Sequence, residues 1–214
     1  LGVCGAEALV RWEHPALGLL PPAYFMPAVE QTGLIGPMTS HVLDRALAQC
    51  AEWRRTGRQM TVSVNLSPTL LEDTHLVARV SDAVALWEAP ADGLILEITE
   101  SAVMSHPEAN FETLRHLRAK GVGVSIDDLG TGYSSLSNFR NIPATELKID
   151  KSFVDKMLEN EFDAKIVRAI IGLGQAFDLE VAAEGAESLL TLSTLAYLGC
   201  QHCQGYVISP PLPA

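Results

Sequence analysis

VGVSIDD (Val122–Asp128), LGTGYSSLS (Leu129–Ser137) and ELKID (Glu146–Asp150) decide the fold. The first and last alternate apolar and polar side chains, as half-polar strands do. Val124 and Ile126 oppose Ser125 and Asp127, and Leu147 and Ile149 oppose Lys148 and Asp150. The Gly- and Ser-rich stretch between them reads as a loop. Outward from this core the strand pattern recurs in Gly5–Trp12, Thr61–Leu66, Leu94–Thr99 and Leu179–Gly185, with a last strand near His202–Val207. Helical periodicity covers Pro21–Gly33, Met38–Thr56, Thr74–Trp87, Pro107–Lys120, Phe162–Phe177 and Ser188–Leu198. About seven strands alternating with helices imply an α/β fold, a parallel sheet covered by helices. Such a sheet is either doubly wound or a (β/α)8 barrel. No Gly-rich dinucleotide fingerprint follows the first strand, which disfavours the doubly wound form. A barrel needs eight strands and typically ~250 residues. At 214 residues the chain is short of such a barrel by roughly one strand, so a strand is expected before Leu1 in the parent protein, or the barrel is closed irregularly.

The composition bounds what such a domain does. Net charge is −11, with hydrophobic residues at 48% and charged ones at 19%. An acidic balance argues against a DNA or RNA polymer as partner, because those need a basic footprint. A small phosphorylated ligand stays compatible, since metals and a few basic side chains overcome the repulsion locally. No apolar run is long enough to span a bilayer, and LGVCGAEALV has no basic n-region. The chain starts without Met, so the expectation is a single domain, residues 1–214, of a longer multidomain protein. That domain is expected to be cytoplasmic, in a parent that is free to be membrane-anchored. Cys4, Cys50, Cys200 and Cys203 are expected to be reduced and buried. Cys200 and Cys203 form one CxxC around His202, but no second ligand pair completes a zinc site.

Six strands carry polar residues opposite an apolar stripe. Glu7 and Arg11 share a face of the first with Leu9, and Asn65, Glu97, Asp127, Lys148 and Glu184 stand on the others. One such residue would be a solvated edge. Six, mostly near C-terminal strand ends, are different. Unpaired charges turned into a barrel are costly, and active sites in this architecture sit at that end. Metal ions together with a lysine offset that cost. Glu7, Asn65, Glu97, Asp127, Asp128 and Glu184 are oxygen donors, which favours Mg2+ or Mn2+ over zinc. The consecutive Asp127–Asp128 pair suits a pair of ions, a device for phosphoester cleavage.

At these residues the chain resembles the EAL domain family, the cyclic di-GMP phosphodiesterases. Glu7-Ala8-Leu9 is the name motif, within EALVRWEHPALGLLPP. The likeness continues through VNLS (Val64–Ser67), EITE (Glu97–Glu100), the loop DDLGTGYSSL, LKIDKSFV (Leu147–Val154), AEG with Glu187, and QGY (Gln204–Tyr206). It implies a modified TIM (β/α)8 barrel with its first strand truncated or absent from the chain, metal-dependent hydrolysis of cyclic di-GMP to linear pGpG, two Mg2+ or Mn2+ ions per site, a homodimer and an N-terminal regulatory domain. The alternative it leaves open is a cyclic di-GMP receptor with weak or no turnover.

The resemblance also implies roles. Glu7, Asn65, Glu97 and Asp127 are similar to ligands of the first ion. Asp127 would bridge, and Asp128 and Glu184 would serve the second. Lys148 resembles the lysine that orients the attacking water, and Glu184 a general base or metal support. Glu187 and Gln204 look like residues that fix the water network and Lys148. Arg11 resembles a phosphate-binding arginine, with Leu9, Asp150 and Gln204 also placed at the substrate. Glu100 looks like the anchor of the DDLGTGYSSL loop. The chain departs from the family pattern at Leu129, Lys151, Ala186, Ser188 and Pro210, none of them an implied ligand.

Overall fold

Short apolar strands between amphipathic helices need a parallel sheet to bury both sets of faces. The computed structural model, which describes residues 2–129 and 139–213, has that arrangement. It separates into two units, Leu1–Leu96 with His116–Val122, and Glu97–Arg115 with Gly123–Ala214.

In the first unit β1 (Gly5–Ala8) pairs in parallel with β4 (Thr61–Asn65), Glu7 standing opposite Ser63. A small antiparallel hairpin, β2 (Trp12–His14) and β3 (Gly18–Leu20), lies between them in sequence. It corrects the single strand expected over Gly5–Trp12. The pairing of β1 stops at Ala8, so Leu9 and Arg11 do not extend the face that carries Glu7. The expected helix over Pro21–Gly33 is a 3-10 turn (Pro22–Tyr24) followed by α1 (Met26–Gln31). The long helix is α2 (Ile35–Arg55), whose inner face is Leu43, Ala46, Leu47 and Cys50, at i, i+3, i+4 and i+7. Arg54 and Arg55 favour its C-terminal dipole. After β4 come α3 (Pro68–Leu71), which the pattern had not shown, and α4 (Leu76–Leu86). The next strand, β5 (Leu94–Thr99), begins in this unit with its buried Leu94 and Leu96.

The second unit takes up Glu97–Thr99 of β5. The turn α5 (Glu100–Ser105) follows, capped by Thr99 Oγ1, and α6 (Pro107–Ala119) leads to β6 (Gly123–Leu129). Then come β7 (Glu146–Ile149), α7 (Lys151–Val154), α8 (Glu161–Phe177), β8 (Glu180–Ala183), α9 (Leu189–Leu198) and β9 (His202–Cys203). The order β6-β7-β8-β9 is parallel throughout. Asn160 caps α8, accepting from Phe162 N–H at 2.8 Å. The helix packs on β7 and β8 through Val167, Ile170 and Ile171. Gly174 permits this approach, since a Cβ there would lie 2.3 Å from Val181 Cγ2.

Among the described residues, no helix is long and apolar enough to cross a membrane. All four cysteines are free. Cys50 and Cys200 are buried as expected, whereas Cys4 is exposed and Cys203 half-buried.

Candidate active site

In the first unit Glu7 stands in β1 and Asn65 ends β4. Asn65 Nδ2 donates to Glu7 Oε1 at 2.6 Å. This joins an amide and a carboxylate, both hard oxygen donors. Arg11 Nη1 is turned onto its neighbour, donating to the Val10 carbonyl at 2.8 Å, and Leu9 is exposed.

The second unit is organised around Lys148. Its Nζ donates to Glu97 Oε2 at 2.8 Å and pairs with Glu184 Oε1. The side chains of Lys148 and Glu97 are 3% and 2% exposed, and that of Glu184 is 23% exposed. A buried ammonium and carboxylate persist only when paired and hydrogen-bonded, which these are. The trio is net negative, so it can still take up positive charge. Glu184 lies just beyond β8, where Gly185 turns the chain at φ +73°. A side chain at 185 would meet Lys151, its Cβ 2.3 Å from Lys151 Cγ.

Asp127 and Asp128 lie where the β6–β7 register shifts, between Ile126 and Leu129. The irregularity breaks strict alternation. Asp128 takes φ +57°, a left-handed conformation that Asp tolerates. Its N–H donates to Asp127 Oδ1 at 2.9 Å. Burial pushes the Asp128 carboxyl above the usual range, the charges of Asp127 and Asp150 push it further, and Lys148 opposes them. A divalent cation beside Asp128 would offset this concentration of negative charge. This oxygen-donor set therefore fits Mg2+ or Mn2+.

Other expected residues have local partners. The Asp150 carboxylate caps α7, accepting from Ser152 N–H at 3.1 Å. Glu187 accepts from Lys151 Nζ at 2.6 Å, rather than reaching Lys148. Gln204 is exposed, and its N–H donates to the Ala183 carbonyl at 2.8 Å. Glu100 is buried at the start of α5. The loop it was expected to anchor lies largely outside the described residues.

One cluster escaped the sequence reading. Among the described residues, Glu146, Glu180 and His202 bring ligand atoms within 4.8 Å of one another, so they could hold a metal ion. They begin β7, β8 and β9, opposite the strand ends that drew attention in the sequence. Alternation was the available signal: Glu146 is two residues before Lys148, and Glu180 four before Glu184. Burial pushes the Glu146 carboxyl up, while a Ser125 hydrogen bond and the charge of His202 draw it back.

The profile of the EAL domain matches residues 1–211. The chain belongs to the EAL domain family. This EAL domain is 43% identical over 211 residues to the bifunctional diguanylate cyclase/cyclic di-GMP phosphodiesterase MucR of Pseudomonas aeruginosa, covering 98% of the chain and 31% of that protein. It is 42% identical over 211 residues to the oxygen sensor protein DosP of Escherichia coli K12, covering 98% and 26%. The chain thus spans about a third to a quarter of the length of these curated relatives. A solved structure of the PaMucR phosphodiesterase in complex with c-di-GMP matches the EAL domain with a TM-score of 0.93 at 42% identity, covering 97% of this chain and 85% of that one.

Proposed function

We propose that this EAL domain is a phosphodiesterase that hydrolyses cyclic di-GMP to linear pGpG. The observation that carries the reading is the buried Lys148, held between Glu97 and Glu184. A receptor has no need to retain so costly a cation; a catalyst of phosphoester hydrolysis does. The relatives named for this activity, and the c-di-GMP complex of a similar structure, support the substrate. In this reading the parallel sheet is that of a modified (β/α)8 barrel, and the domain serves a longer, regulated protein in the cytoplasm.

Glu7 and Asn65 in the first unit, and Glu97, Asp127, Asp128 and Glu184 in the second, are the oxygen donors that would hold divalent ions. Such ions would supply neutralisation of phosphate charge and a lowered pKa for the attacking water. The protein's own groups do the rest. Lys148 orients the attacking water in line with the ribose 3′ oxygen and offsets charge growing on the phosphoryl oxygens. Glu184, paired with Lys148, is placed to accept the proton of that water. Arg11 leaves the Val10 carbonyl to bind a non-bridging phosphate oxygen, and Leu9, Asp150 and Gln204 line the substrate. Glu187 positions Lys151 beside Gly185, and Glu100 supports the loop after Asp128.

The test is turnover of cyclic di-GMP, with product read as pGpG by chromatography. Mn2+ or Mg2+ supports it and EDTA stops it. Tight nucleotide binding with no product under Mn2+ assigns the domain to the receptors instead.

A further inference from the structure

The geometry points to a second metal site at the N-terminal ends of β7, β8 and β9, in which Glu146, Glu180 and His202 bind a divalent transition ion of the zinc type. Glu146 and Glu180 are register neighbours on parallel strands, so two carboxylates stand side by side. Like charges so placed destabilise a sheet unless something offsets them. His202 reaches back across the sheet, with Nε2 3.0 Å from Glu180 Oε2.

The second observation is the state of Glu146. It is only 8% exposed, and its carboxylate accepts from Ser125 Oγ at 2.7 Å. A buried carboxylate accepts several hydrogen bonds when it is satisfied by protein alone. This one is directed at the imidazole and at a second carboxylate. The mixture of oxygen and imidazole nitrogen selects zinc-like ions over Mg2+ or Ca2+. Glu180 and His202 have side chains 65% and 33% exposed, so an ion can enter from solvent. Zn–O and Zn–N bonds are about 2.0–2.2 Å. Ligand atoms within 4.8 Å of one another therefore need only a small closing movement, which the exposed Glu180 can make. The ion would clamp the starts of the two strands that carry Lys148 and lead to Glu184. The ligands are separate from those proposed for catalysis.

The full chain is stripped with EDTA, loaded with Zn2+, desalted and assayed for bound metal, with Co2+ as the spectroscopic probe. Glu146→Gln, Glu180→Gln and His202→Gln are each expected to lose one equivalent and the Zn2+-induced rise in melting temperature. Asp127→Asn is expected to keep both, so failure of the catalytic reading leaves this outcome readable. Glu180→Gln changes an exposed side chain and guards against misfolding in the others. The three variants are expected to keep the wild-type Mn2+-dependent turnover. Equal Zn2+ content and equal melting shifts in wild type and variants overturn the site. A thiolate-to-cobalt charge-transfer band that disappears in Cys203→Ser also overturns it, because the ion then sits on the cysteines.

Discussion

Lys148→Met is expected to lower kcat for cyclic di-GMP by about 10²–10⁴-fold, the range for losing one acid–base or charge-stabilising group, with a far smaller change in KM. Methionine keeps the unbranched stem inside the protein and deletes only the ammonium. The substrate meets other groups, so its binding survives; what disappears is the cation that grows in importance as negative charge develops. The substitution also has a structural consequence. Glu97, with a side chain 2% exposed, loses its ion pair with Lys148, and breaking a buried pair by removing one member costs about 3–5 kcal/mol. Thermal melting therefore accompanies the kinetics. Lys148→Arg serves as the companion variant: it restores the charge and the fold but not the geometry of a compact ammonium. Full turnover in Lys148→Met removes this residue from the chemistry.

Asp127→Asn is expected to lower Mn2+-dependent turnover by at least about 10³-fold, which corresponds to several kcal/mol of lost transition-state stabilisation. The change is isosteric. The amide oxygen can still accept from Asp128 N–H, the contact that holds the bend at the end of β6. The fold is therefore retained, and melting should hardly move. What is lost is a negative oxygen able to bridge two cations, which a neutral amide does poorly. Initial rates across a Mn2+ titration check this. Wild-type rates at ordinary Mn2+ would take Asp127 out of the site.

The candidate residues were legible because their chemistry conflicts with their surroundings. A Lys and several carboxylates stand on strands whose other face is Val, Ile and Leu, and the structure buries Glu97 and Lys148 together. Strand identity was legible for the same reason of period, as in Thr61–Asn65 and Leu94–Thr99. Ends were harder. Trp12–His14 continues the alternation of Gly5–Ala8, so nothing local announced the hairpin that turns through Gly18 at φ +73°. The last strand, expected to run to Val207, ends at Cys203. Beyond it the chain bends so closely past Ala186 that a Cβ on Gly205 would lie 2.2 Å from the Ala186 carbonyl oxygen. The partners of Glu187 and Asp150 depend on the local turns at Gly185 and α7, and period alone does not encode them. Glu146, Glu180 and His202 are each unremarkable in sequence; only the register of three strands brings them together.

In the proposed mechanism, side chains from separate strands would share a pair of divalent ions. Anomalous diffraction from crystals of the domain loaded with Mn2+ and cyclic di-GMP tests it most directly. Two neighbouring peaks are expected beside the phosphate, ligated by Glu97, Asp127, Asp128 and Glu184. Peaks remote from these side chains, or nucleotide bound with no ion next to them, would contradict it.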